Sequence, residues 1–358
     1  MKMFARRFWE CNGVEKNMIK SSFAIILLVL ISASALYCNH SGESNQTATR
    51  SQMERKTDQA PPTPVPENPG PRYNLSAFQS ERAYQWLKEI ALFDQRWYGS
   101  PRRDQAIAKL KKSLSELCDS VVLDPFEATD RESKKTYKLN NIVAKINPDR
   151  PNRLLVGSHW DTRLWSDKDP NPKLRDKPIM GANDGTSGLA VIVEILKVLK
   201  EKPLALYGLD IVFFDGEDFG RANSRDFSRG AKHYAEHTLL NEAHKPKYGL
   251  VIDMVGDTDL NIQPEHQSKQ AAPDLMQLIW NAAAGQSAAG FRSDAPLSII
   301  DDHVPLIEAG VPTVLLLDFD YPYWHTQADT VDKVSPHSLE ETGKVILQVL
   351  YQLDGGAL

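Results

Sequence analysis

LDIVFFDGED, residues 209–218, is the stretch on which the fold turns. Leu209 to Phe214 is an apolar run broken by a single Asp, which is how a strand reads when helices cover both faces of its sheet. It stops at Asp215-Gly216-Glu217-Asp218, a glycine turn crowded with carboxylates. The same pattern recurs outward. Upstream, Leu154 to Gly157 leads into Ser158-His159-Trp160-Asp161. Downstream, Tyr248 to Val255 carries Asp253, and Thr313 to Leu317 is followed, past a short loop, by Tyr323-Trp324-His325-Thr326. Asn141 to Ile146 reads as a further strand. Segments with helical spacing lie between: Gly188 to Leu199, Phe227 to Glu236, Pro273 to Ala284 and, at the end, Pro336 to Leu353. Two more precede the strands, one carrying Phe78, Ala83, Trp86, Leu87 and Ile90, the other at Asp104 to Leu117. This alternation predicts an α/β three-layer sandwich, a central, mostly parallel mixed sheet flanked by helices.

In such a sheet functional groups gather beyond the carboxyl ends of the strands. There the sequence sets His159, Glu217, Asp218, Asp253 and His325, with Asp184 in the glycine-flanked Gly181-Ala182-Asn183-Asp184-Gly185 just before a helix. Each piece has a plain structural reading: a hydrogen-bonded His, a solvated acidic turn, a helix cap. Together they are nitrogen and oxygen ligands of the kind zinc takes, and so many carboxylates would repel one another without a cation.

The motifs Ser158-His159-Trp160-Asp161, Gly181-Ala182-Asn183-Asp184-Gly185, Phe213-Phe214-Asp215-Gly216-Glu217-Asp218, Asp301-Asp302-His303-Val304-Pro305 and Trp324-His325-Thr326 resemble those of the M28 family of zinc exopeptidases. They are most similar to its glutaminyl-peptide cyclotransferase branch. The resemblance runs from about Gly99 to the C-terminus and implies the zinc-exopeptidase, phosphorylase/hydrolase-like fold. It further implies a zinc ion held by Asp184, Asp218 and His325, with Glu217 as the catalytic acid/base and Asp301 assisting proton transfer. His159 and Asp253 would hold a second zinc, with Asp184 bridging, if the site takes two. Asp218 stands where Glu is also common. The Trp before the ligand His, the Asp-Asp-His motif and the long segment after Asp218 lean toward the cyclotransferases. Trp324, Trp160 and Tyr323 are the expected substrate-binding residues, and Trp165 is a further candidate to line the pocket.

Two enzymatic readings follow. In the first, the N-terminal Gln of a peptide is cyclised to pyroglutamate with release of ammonia; in the second, an aminopeptidase hydrolyses the N-terminal residue. A third, a non-catalytic surface module, predicts loss of the base or a ligand, yet Glu217, Asp184, Asp218 and His325 are all present. Arg102 and Arg103 read as a solvated turn, and His303 as a candidate to support the site from behind.

The chain has 358 residues and a net charge of −5, which argues against a nucleic-acid surface. Ser21 to Tyr37 is an apolar run behind Arg6, Arg7, Lys16 and Lys20, the pattern of a secretory signal or a membrane anchor. Cys38 directly after it suggests a lipidated cysteine. Residues 1–38 are thus expected to direct export to the periplasm or cell envelope, with membrane attachment. Residues 39–73, rich in Pro, are expected to be a disordered linker, and 74–358 one catalytic domain. Three cysteines, none in C-x-x-C spacing, exclude a disulfide scaffold and a thiolate zinc site. The expected partners are peptide or protein N-termini, and the expected state is a monomer.

Overall fold

Four parallel strands, each with nearly every residue buried, make up most of one sheet: β3 (Arg153–His159), β4 (Gly208–Phe214), β5 (Tyr248–Asp253) and β6 (Thr313–Leu317). The computed structural model describes residues 73–221, 224, 226–240 and 245–358. The export segment and nearly all of the linker expected from the sequence lie outside them. Ahead of the parallel strands come β1 (Ser120–Thr129) and β2 (Thr136–Ile146), an antiparallel pair. The sheet runs β1-β2-β4-β3-β5-β6, with β2 antiparallel to β4 and every later pairing parallel. The mixed, mostly parallel sheet is therefore as the sequence predicts, with β1 as an addition.

Alternate residues of each central strand feed two cores. Leu154, Val156, Ile211, Phe213, Leu250 and Ile252 pack on one side with α1 (Ser80–Ala91), α3 (Thr186–Glu201) and α8 (Pro336–Asp354). The helix α2 (Arg103–Ser115) joins this layer, as does α6 (Pro273–Gly285). Leu155, Val212, Phe214, Val251 and Leu315 face the other side, against α4 (Arg229–His237) and α7 (His303–Glu308). The short α5 (His266–Ala271) lies against β6 and α7. Period-2 alternation over strands buried on both faces is what puts helices on both sides.

The chain leaves β3 through α3 to reach β4 on one side, then returns through α4 to β5 on the other. That reversal opens a crevice at the carboxyl ends of β3 and β5, where His159 and Asp253 are the last strand residues. Among the described residues no helix is long and apolar enough to cross a membrane.

Candidate metal centre and active site

Three glycine turns deliver the side chains. Gly216 (φ 74) swings Glu217 and Asp218 back over the end of β4, while Gly181 (φ 66) and Gly185 (φ 84) shape the loop that presents Asp184. A Cβ on Gly185 would sit 2.7 Å from the His159 ring, so the position demands glycine by contact as well as by φ. His325 itself holds a left-handed backbone (φ 54), a conformation a non-glycine residue keeps only when its surroundings enforce it.

The geometry brings the expected ligands together. Asp218 Oδ1 lies 3.2 Å and Asp184 Oδ2 3.6 Å from His325 Nε2. On the other side of Asp184, its Oδ1 is 3.2 Å from His159 Nε2, which is 3.1 Å from Asp253 Oδ1. All of these residues are buried. Glu217 is half-buried and faces the same cavity, of about 1000 Å3, as Asp301 and Trp324.

Crowded carboxylates settle their charge unequally. Burial, and then the Asp218 charge, pushes Asp184 up to about 7. Burial works the same way on Asp218, but His325 and Arg163 outweigh it and hold it at about 2. Burial and the Asp253 charge raise Asp301 to about 6. Removal from water, with Asp301 and Asp218 nearby, lifts the Glu217 carboxyl well above its ordinary range, as suits a proton carrier.

Asp184 Oδ2 and Asp218 Oδ2 are buried without a hydrogen-bond partner. With His325 they place three ligand atoms within 4.8 Å of one another. Two orphaned carboxylate oxygens beside an imidazole nitrogen are what a bound zinc would satisfy, so the residues fit that ion.

Several supporting residues were not legible as such in the sequence. Asp167 Oδ1 stands 3.2 Å from His325 Nδ1, and Arg163 bonds both Asp167 and Asp218. Asp161 Oδ1 accepts the Glu217 N–H at 3.1 Å. Asp329 accepts the N–H groups of Asn183 and Asp184 and the Tyr321 hydroxyl. The fully buried Arg96 guanidinium donates to the Trp160 carbonyl and, on the ligand loop, to the Gly181 carbonyl and the Thr186 hydroxyl. The only signal for these is a cluster of charged residues in loops beside ligand motifs, too common to single them out.

Four expectations are corrected. Trp160 does not line the cavity: it is fully buried beneath the Arg103 guanidinium, 4.4 Å from the ring, with Nε1 donating to Asn140 O. Arg103 is accordingly no solvated turn residue but is buried and paired with Asp215. Tyr323 faces an adjoining polar hollow with Asp257 and Lys333 rather than the cavity of Glu217. Trp165 packs with Tyr98 and Phe219 in a small separate core. Trp324 is where the sequence puts it, in the cavity wall, its ring 4.0 Å from that of His325.

The family model for peptidase family M28 matches residues 141–350. The chain belongs to that family. It is 22% identical over 292 residues to a glutaminyl-peptide cyclotransferase of Bos taurus, covering 73% of this chain and 79% of that one. Among solved structures, a Zn-dependent exopeptidase from Parabacteroides distasonis matches with TM-score 0.73 at 27% identity, over 76% of this chain and 98% of that one. The glutaminyl cyclase of Porphyromonas gingivalis matches equally, with TM-score 0.73 at 27% identity, over 77% and 99%. The M28 match and the likeness to a Zn-dependent exopeptidase agree with the donor set in implying zinc. They also make the chain an enzyme of the exopeptidase and glutaminyl cyclase type.

Proposed function

We propose that this chain is a zinc-dependent glutaminyl-peptide cyclotransferase, converting an N-terminal Gln of peptides to pyroglutamate with release of ammonia. The supporting relatives span most of the domain. The observation that carries the reading is how the buried polar atoms pair. Asp184 Oδ2 and Asp218 Oδ2 lack partners beside His325, whereas His159 Nε2 and Asp253 Oδ1 are hydrogen-bonded to each other. One ion at Asp184, Asp218 and His325 satisfies the first set and leaves the second undisturbed.

When bound there, zinc supplies a Lewis acid toward the γ-amide carbonyl of the substrate. Glu217 accepts a proton from the α-amine as that nitrogen forms the new bond to the side-chain carboxamide carbon, Cδ, then passes it to the amide nitrogen, whose bond to Cδ breaks as it leaves as ammonia. Asp301, in the same cavity and with its carboxyl raised, assists that transfer. Trp324, beside the ligand His325, bounds the space for the N-terminal side chain and excludes water, which this reaction does not consume.

Aminopeptidase hydrolysis is the second reading. It rests on a further triad, since His159, Asp184 and Asp253 also bring three ligand atoms within 4.8 Å, a place for a second ion. Incubating the zinc-loaded protein with a Gln-initiated and a Leu-initiated peptide separates the two. The Gln peptide is expected to lose the mass of one ammonia with the Leu peptide intact; release of free leucine would establish hydrolysis instead.

On the sequence alone we also propose that residues 1–38 export the chain to the cell envelope and that Cys38 carries a lipid. Incorporation of labelled fatty acid, lost in Cys38→Ser, tests this; label retained in that variant would refute it.

A further inference from the structure

The cavity over Glu217 carries its charge unevenly. Its floor is acidic, with Glu217, Asp184, Asp218, Asp253 and Asp301 facing it beside His325. Three other charged groups line it: Lys168 and Glu308, both exposed, and the half-buried Lys232, which places them toward its mouth. Lys232 and Glu308 also line the hollow that adjoins on the α4 and α7 side, so their opposite charges offset there. Lys232 Nζ in addition donates to the Phe227 carbonyl at 2.7 Å. Lys168 has no such counterpart. Its Nζ lies 5.3 Å from the centre of the Trp324 ring, and among the described residues no carboxylate forms an ion pair with it. Its backbone N–H donates to the His325 carbonyl at 3.2 Å, which fixes where the side chain begins relative to the ligand and the indole. An ammonium resting on an indole face is held from one side and keeps donors for a partner on the other.

We propose that Lys168 is a specificity-determining residue that receives a carboxylate from the second residue of the peptide, so that N-termini with Asp or Glu in second place are preferred. The inference rests on the reading that a peptide N-terminus is the substrate. The first residue has to reach the floor, where Glu217 and the ligands lie, and the chain then leaves through the mouth past Trp324 and Lys168. The second side chain is the first to meet the rim. The molecule carries a net charge of −5 and the floor is acidic, so the overall field works against an acidic peptide. A preference for one must come from a local cation. The pair is exposed to solvent, so its effect is about two- to fivefold and shrinks with salt.

The test uses three peptides that begin Gln-Glu, Gln-Ala and Gln-Lys and are otherwise identical. Binding is measured by calorimetry on the zinc-loaded full chain carrying Glu217→Gln, at low and high salt, with kcat/KM of the unsubstituted enzyme in parallel. Gln-Glu is expected to bind about two- to fivefold more tightly than Gln-Ala, and Gln-Ala more tightly than Gln-Lys, with both gaps closing at high salt. Adding Lys168→Glu should reverse the order, and Lys168→Met should flatten it. Equal affinities, an order that Lys168→Glu leaves intact, or no binding of any peptide overturns the proposal. Because binding is read with the base removed, absence of pyroglutamate from the unsubstituted enzyme would defeat the cyclisation reading alone, and the order of affinities would still decide the role of Lys168.

Discussion

Asp167 stands 3.2 Å from His325 Nδ1 and takes two donors of the Arg163 guanidinium. Burial would raise its carboxyl, but the bonds from His325 and Arg163 prevail and hold it well below the ordinary carboxylate range. A carboxylate behind a ligand His orients the ring and makes it a stronger donor. Asp167→Asn removes that charge and leaves Arg163 less compensated, and both changes weaken the hold on a cation. A rise of about 10- to 100-fold in the zinc dissociation constant is expected by chelator competition; an unchanged constant would remove Asp167 from the centre. His159, Asp184, Asp218, Asp253 and His325 were legible in the sequence because each follows an apolar run or a glycine-flanked turn, a context that marks strand ends. Asp167 was not, because Ser166-Asp167-Lys168-Asp169 is polar throughout and has no period to place it. Trp160 misled for a different reason. It sits next to a ligand in sequence, but alternation along the exit of β3 turns its ring inward when that of His159 turns toward the crevice.

The helix α3 is pressed so closely onto the sheet that Gly188 admits no side chain. A Cβ there would meet the Ser158 hydroxyl and lie 2.5 Å from the Ile252 carbonyl, atoms of β3 and β5. The start of the helix is also bonded to the exit of β5, through Ser187 Oγ to the Val255 N–H and Asn183 Oδ1 to the Gly256 N–H. Gly188→Ala is expected to cost about 1–3 kcal/mol of stability, since the helix must back away from backbone. It should weaken zinc binding with it, because Asp184 leads into that helix. A thermal melt and a zinc titration check both; an unshifted melting temperature would mean that the interface yields. At this scale the sequence was readable where burial is complete and thin where it is not. The central strands and the long helices announce themselves as apolar runs or 3.6-residue periods. The strand β1 was missed because most of it is exposed, with Asp124, Pro125 and Glu127 interrupting any pattern. The helices α5 and α7, six residues each, are too short to show a period. The buried bond between Glu265 and His303, 3.1 Å, which ties these two together just behind Asp301, joins residues far apart in the chain and leaves no local trace.

Stability of the whole domain should depend on pH in a way set by its buried acids. Burial raises Asp329 to about 6 and, with the Asp218 charge, Asp184 to about 7, against an ordinary 3.8. The unfolded chain releases these protons from about pH 4 upward, while the folded metal-free protein keeps them until pH 6 to 7. Folding then binds protons across that window, and stability falls as pH rises through it. Asp218 and Glu265, both held at about 2, act only in more acidic solution. Metal-free protein is therefore expected to melt at a higher temperature near about pH 5 than near about pH 8. Added zinc, taking the place of the proton on Asp184, should raise the melting temperature more at the higher pH. Thermal melts with chelator and with zinc at both pH values check this; an equal zinc increment would mean that Asp184 is already ionised in the empty centre. The buried Arg96 guanidinium bears on how this domain can be exchanged between proteins. The match to the family model begins at residue 141, and everything after it includes all five candidate metal ligands and the proposed base. Yet the cation that pins the Asp184 loop comes from upstream, as does Arg103 beneath the Glu217 turn. A graft of residues 141–350 would carry a complete list of reactive groups and leave behind the braces that aim them. Recombination that preserves the chemistry has to cut before Arg96.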